Sequence, residues 1–241
     1  MNNIRTVSDT KRAFYSIHTR PINSIYRRVV EELMVEMHLL SVNVDFQYDP
    51  IYALGVVTAF DRFMQGYLPE TDQESIFNAL IGALQEDPRR YRAEAQRLQE
   101  FAQTFSVTDL LSWADGASNF EAGNDLQSYF HKIAINPKYK YNRLFAIGLI
   151  TLIEQSDPQG IENKEATEKT LDQLASGLNL PQDKLQKDLE LYRSNLEKLM
   201  QARIVMEELT QAERKRREQR GAKPAVSPTP ESAPEEVSTD S

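Results

Sequence analysis

The chain of 241 residues contains no cysteine, which excludes disulfides, thiol catalysis and thiolate metal sites and fits a reducing compartment. Its three histidines, His18, His38 and His131, lie far apart, and none falls in the His-x-x-x-His or Glu-x-x-His spacing with which helices hold metals. Glycine is also scarce: the nine residues are scattered, with no phosphate-cradling loop and no Gly-x-Ser-x-Gly elbow. Conventional enzyme chemistry has no visible anchor, so neither catalysis nor a cofactor is expected. Long apolar runs are missing as well. The longest, Ile51 to Phe60 and Leu144 to Ile153, reach about half of the roughly 20 residues needed to cross a bilayer, and they read as core helices. Basic charge is in the minority, with 28 Lys and Arg against 36 Asp and Glu; the net charge of −8 argues against a general nucleic-acid binder. The first twenty residues show neither the apolar run of a secretory signal nor a long Ser- and Arg-rich presequence; Ser8, Lys11, Arg12 and Phe14 look like the opening of a short helix.

What the chain does have is helix punctuation. Thr19 with Pro21, Asp49 with Pro50 and Asp87 with Pro88 each pair a capping side chain with a proline suited to a first helical turn, where its missing N–H costs nothing. After the first of these, Ile22, Ile25, Val29, Leu33, Met37 and Leu40 recur at steps of three and four, one stripe of a helix. Asp72 reads as the cap of a segment carrying Ile76, Phe77, Leu80 and Ile81. Ser106 with Asp109 reads as a near capping box before Leu110 and Trp113, in a helix that Gly116 ends. Further helices are expected from Asp125, from Tyr139 to Glu154, and from Asn163 to Gly177. Val42, Val44, Phe46 and Tyr48 alternate like a strand but have no pairing partner nearby, which favours an extended connector whose alternate side chains plug the core.

From Pro181 to Gly221 no Gly or Pro interrupts, and Leu185, Leu189, Tyr192, Leu196 and Leu199 follow alternating steps of four and three, a coiled-coil-like seam. Arg203 breaks it, after which Val205, Met206 and Leu209 continue a shifted stripe. The expected fold is all-α: a compact multi-helix bundle over residues 1–180, a long C-terminal helix over 181–221 packed on it, and a disordered Pro-, Ser- and Glu-rich tail over 222–241.

Thr19 to Gly66, which reads TRPINSIYRRVVEELMVEMHLLSVNVDFQYDPIYALGVVTAFDRFMQG, and Asn136 to Glu154, which reads NPKYKYNRLFAIGLITLIE, occur in order with AFDRFMQGY at Ala59 to Tyr67. Together these strings resemble the thylakoid formation protein family, also called the photosystem II biogenesis protein family, from about Val7 to about Ala212. None of the strings is a catalytic signature. The resemblance implies a non-enzymatic auxiliary role in thylakoid membrane biogenesis and photosystem II assembly or repair. It also implies a partnership with the membrane-bound FtsH proteases and with photosystem II or its assembly intermediates. The implied location is the cytoplasmic side, peripheral to the thylakoid membrane of a cyanobacterial-type cell.

Two groups of residues are candidates for partner binding. Lys138, Lys140 and Arg143 interleave with Tyr139 and Tyr141 at an expected helix start, a composition suited to an acidic partner or a lipid headgroup; the plainer reading is snorkelling cations around buried tyrosines. Arg203 and the run Arg214, Lys215, Arg216 and Arg217 mark the long helix, where basic groups are also attracted to anionic membrane. Glu31, Glu32 and Glu36 share a helix face and read as solvated. Phe101, Phe105, Trp113 and Phe120 read as core packing between short helices. The alternative reading of the whole is a pigment- or lipid-binding protein acting in thylakoid membrane assembly, for which such an aromatic set would be the place.

Overall fold

The structure, a computed structural model, describes residues 5–116, 125–159 and 164–221; for residues 164 and 217–221 it describes the backbone alone. Among the described residues there are ten helices and no strand: α1 (Val7–Ile17), α2 (Ser24–Ser41), α3 (Pro50–Phe63), α4 (Thr71–Gly82), α5 (Pro88–Ala102), α6 (Val107–Ala114), α7 (Asp125–Ala134), α8 (Arg143–Ser156), α9 (Lys164–Gly177) and α10 (Gln182–Gly221). The all-α expectation holds. The expected residue Asn163, Phe120 and the tail 222–241 lie outside the described residues, as does the side chain of Arg217.

The chain divides into two compact units, and the division falls inside α10, after Leu199. In the first unit, every residue of α3 from Pro50 to Phe60 and of α8 from Leu144 to Ile153 is buried. A helix that is apolar all round belongs at the centre. None of the described helices is long and apolar enough to cross a membrane. The two central helices touch backbone to backbone: a Cβ on Gly55 would sit 1.7 Å from the Leu144 carbonyl oxygen, and one on Gly148 would sit 2.0 Å from that of Ile51. Beyond the glycines come Thr58 with Thr151, hydroxyls 3.4 Å apart, and then the ion pair of Arg62 with Glu154. The pairs advance in the same order along both helices, so α3 and α8 run in the same sense. Around them, α5 packs on both, α2 packs on α3, α1 joins α2 to α4, and α6 packs against α7 and α9.

Local chemistry accounts for most helix starts. Asp49 accepts from Tyr52 N–H at 2.8 Å ahead of Pro50, and Asp87 accepts from Arg89 N–H at 2.9 Å ahead of Pro88. Ser106 and Asp109 form a full capping box, as do Thr6 and Asp9 at α1. Gly116 follows α6 at φ +66°, the left-handed region that glycine reaches freely.

Three expected starts move. α2 is capped by Asn23, which accepts from Ile25 N–H at 3.2 Å, so Thr19 and Pro21 lie ahead of the helix. Its buried stripe gains Tyr26, Val30 and Met34 and leaves Ile25 and Val29 half-buried. Asp72 lies inside the first turn of α4 rather than before it, where it is buried and takes Arg20 Nη2 at 2.7 Å. α8 begins at Arg143, with Asn142 accepting from Phe145 N–H at 2.8 Å, so Tyr139 to Tyr141 form a segment ahead of the helix. In the connector only Phe46 and Tyr48 pack inward, their rings 5.0 and 6.0 Å from that of Tyr52; Val44 is 96% exposed.

α10 belongs partly to each unit. In the first, Leu185, Leu189 and Tyr192 are buried, and the Tyr192 ring meets Phe63 edge-on at 5.5 Å. In the second, the exposed large apolar side chains come in i,i+4 pairs, Met200 with Ile204 and Val205 with Leu209, each more than half exposed. Arg203 reaches Glu207 on the same helix at 3.7 Å.

Replacing either crossing glycine by alanine puts a methyl group into a backbone carbonyl, and neither helix can retreat without opening the core. Gly55→Ala and Gly148→Ala are each expected to lower unfolding free energy by about 3 kcal/mol or more, at or beyond the upper end of overpacking costs. Gly116→Ala, which meets nothing within 4 Å, should cost only the left-handed conformation, about 1–2 kcal/mol. Urea unfolding followed by circular dichroism measures all three.

Candidate functional site

The segment ahead of α8 is held by every second residue. Tyr139 donates its hydroxyl to Asp49 Oδ2 at 3.3 Å, Tyr141 donates to Asp188 Oδ2 at 3.0 Å, and Arg143 pairs with Glu36. The three carboxylates come from the start of α3, from α10 and from α2. Lys138 and Lys140, the alternate residues, are exposed. The tyrosines are therefore structural anchors, and the segment presents its lysines to solvent in a fixed register. Burial pushes both phenols well above the ordinary tyrosine range, and the carboxylates beside them add to the shift.

Asp49 does two jobs, capping α3 and receiving Tyr139. Being buried, its carboxyl is pushed up to about 6, although the donors of Tyr52, Tyr139 and Ile51 pull the other way. Glu36 is likewise raised by burial, with the Arg143 guanidinium opposing. Glu31, Glu32 and Glu36 are not simply a solvated face. Glu31 accepts from Lys11 Nζ at 2.9 Å and from Tyr15 hydroxyl at 2.6 Å, and Glu32 accepts from Arg28 Nε at 2.9 Å. Only Glu32 keeps half its side-chain surface in water.

The carboxylate-bound segment and the outer side of α2 enclose an open groove of about 1020 Å³. Its apolar part is Val35 and Leu39, which are 37% and 57% exposed, beside buried Leu40. Arg27, Lys140 and Lys184 add cations at its edge. Lys184 lies over the Tyr141 ring at 5.2 Å. Of the expected binding residues, Lys140 and Arg143 thus line one groove, and Lys138 is close in sequence but does not line it. Arg203, Arg214, Lys215 and Arg216 belong to the second unit, the last three exposed. Arg27, Val35, Leu39 and Lys184 went unmarked in the sequence. The available signal was the apolar side chains on α2 that fall off its buried stripe.

Other candidate chemistry dissolves into packing. Phe101, Phe105 and Trp113 pack on one another with ring centroids 4.9 to 6.3 Å apart. The cavity beside Phe101 is about 160 Å³, smaller than the roughly 300 Å³ at which ligand pockets begin. His18 Nδ1 meets Ser75 Oγ and His38 Nδ1 meets Thr10 Oγ1, each at 2.9 Å. Among the described residues no three acidic or histidine side chains gather as a metal ligand set.

The profile of the thylakoid formation protein family matches residues 6–221, nearly all of the described chain. The chain belongs to that family. Protein Thf1 of Nostoc punctiforme is 61% identical over 220 residues, covering 91% of this chain and 94% of its own. Protein Thf1 of Acaryochloris marina is 56% identical over 223 residues, covering 92% and 90%. A solved structure of Psb29 at 1.55 Å matches with a TM-score of 0.74 at 46% identity, covering 88% of this chain and 98% of that one.

The raised Asp49 carboxyl makes a stability prediction with a definite sign. The fold binds the Asp49 proton more tightly than the unfolded chain does, so its contribution is full below pH 3.8 and is lost as pH rises through about 6. Asn caps helices as well as Asp. Relative to the native chain, Asp49→Asn should therefore gain stability between pH 4 and pH 7, by about 2–3 kcal/mol. Paired urea titrations at the two pH values measure this, and a constant difference would mean that Asp49 titrates normally.

Proposed function

We propose that this protein is a non-enzymatic adaptor or stabiliser in thylakoid membrane biogenesis and photosystem II assembly or repair. Its partner in this reading is the membrane-bound FtsH protease complex, with peripheral contact to the thylakoid membrane. Family membership supports the process. One observation supports the mechanism: α10 continues past the first unit as regular helix while Met200, Ile204, Val205 and Leu209 remain 51 to 61% exposed. Large apolar side chains left in water on one helix suit a partner that covers them. The basic run from Arg214 to Arg217 then follows, suited to acidic protein or anionic lipid at a membrane surface.

The test is a crosslinked pull-down from solubilised photosynthetic membranes, with partners identified by mass spectrometry. The full chain is expected to recover FtsH. Truncation after Thr210, the paired change Ile204→Asp with Leu209→Asp, and charge reversal at Arg214, Lys215, Arg216 and Arg217 should each reduce recovery about tenfold, a loss of roughly 1.4 kcal/mol, with the thermal melt of the body unchanged. Undiminished recovery by all three would remove α10 from the mechanism, and absence of FtsH from every sample would remove the adaptor role itself. The defect caused by the charge reversal should also shrink with salt, as the native attraction and the variant's repulsion are both screened, whereas loss of apolar contact should not.

A further inference from the structure

The groove along α2 carries an imbalance that the net charge hides. Its four carboxylates are all engaged: Glu31 by Lys11 and Tyr15, Glu32 by Arg28, Glu36 by Arg143, and Asp188 by Tyr141. Its remaining cations are held more loosely. Among the described residues Arg27, Lys140 and Lys184 make no side-chain hydrogen bond or close ion pair; Arg27 acts on Glu31 and Lys184 on Glu36 only through space, and Lys184 also lies over the Tyr141 ring. The same groove is lined by Val35 and Leu39, apolar and exposed. On a chain of net charge −8, this is a place where anionic groups are attracted against the general field.

We propose that the groove is a docking site for an acidic amphipathic helix of another protein, with apolar side chains over Val35 and Leu39 and carboxylates toward Arg27, Lys140 and Lys184. Charge complementarity and shape select this occupant. The 18 residues of α2 give a surface about 27 Å long at 1.5 Å per residue, which is five turns of helix, and Val35 with Leu39 form one i,i+4 apolar step against which a docked helix sets its own apolar anchors. A bilayer fits less well, because it is flat and negative everywhere. It would press charge onto Glu31, Glu32, Glu36 and Asp188 as well as onto the cations. A peptide can place each carboxylate opposite a cation and leave the engaged acids facing neutral side chains.

The groove shares no residue with the exposed turns of α10, so its test stands apart from that of the adaptor reading. Two labelled 18-residue helical probes share leucines at i, i+3, i+4 and i+7; one carries glutamate on its other faces and one lysine. Fluorescence anisotropy against the full chain should show binding of the glutamate probe only. Arg27→Glu with Lys140→Glu should weaken it at least about tenfold, as should Leu39→Asp, with circular dichroism and melting temperature unchanged. Lys169→Glu, at an exposed cation away from the groove, and truncation after Thr210 should leave it intact. Equal binding of both probes, no binding of the glutamate probe, or indifference to the groove variants would overturn the proposal. So would a failure of the probe to bind while the same variants abolish either pelleting with phosphatidylglycerol vesicles or self-association in sedimentation, which would assign the groove to a membrane or to a second copy.

Discussion

Everything in the first unit is referred to one close approach. At Gly55 and Gly148 the axes of α3 and α8 come near enough that a side chain on either would occupy a carbonyl of the other. Two helices buried on all sides cannot orient themselves by amphipathicity, because every face is equally apolar. The glycines supply the missing orientation: only one rotation and one height of each helix bring hydrogen against backbone. Thr58 with Thr151 and Arg62 with Glu154 then follow one turn at a time, and the remaining helices pack around a pair that is already fixed.

The groove inherits its geometry from that crossing. Asp49 stands at the start of α3 and Asn142 at the start of α8, so fixing the two helices fixes both capping residues. Tyr139 is tied to Asp49, which is buried enough to hold its proton up to about pH 6. From there the chain must reach Asn142 in an alternating path, tyrosines inward and lysines outward. Arg143 closes the path onto Glu36 of α2. Two lysines on a tethered segment lose less freedom on binding than they would on a loose loop. The anchoring tyrosines thus hold Lys138 and Lys140 in one register.

Much of this fold was legible in the residues and part of it was not, for reasons that differ by position. The starts at Asp49, Asp87 and Ser106 were readable because cap and proline, or cap and acid, are neighbours in sequence. Thr19 with Pro21 carried the same local signal and did not start α2, since Asn23 offers a cap closer to the buried Tyr26 and Val30. Asp72 looked like a cap but serves Arg20 from inside the helix, a partnership set by tertiary position. Glu36 read as a solvent-facing acid because Arg143 is 107 residues away. The glycines at 55 and 148 could have been singled out, each standing alone inside an otherwise apolar run. Which carbonyl each would meet depends on a pairing that spacing along one chain does not contain.

The long helix shows how a surface can stay open without instability. Starting a helix is costly, while adding a residue to an existing one is nearly neutral. Leu185, Leu189 and Tyr192 anchor the first turns of α10 by burial, so the later turns extend a structure already nucleated. They do not need apolar burial of their own to remain helical; side-chain pairs such as Arg203 with Glu207, at 3.7 Å, contribute a few tenths of a kcal/mol each, about 0.2–0.5. Met200, Ile204, Val205 and Leu209 are thereby released from any structural duty within the helix. A sequence that places four large apolar side chains in this way loses little in folding and keeps two ordered i,i+4 apolar pairs in water, on different faces of one helix.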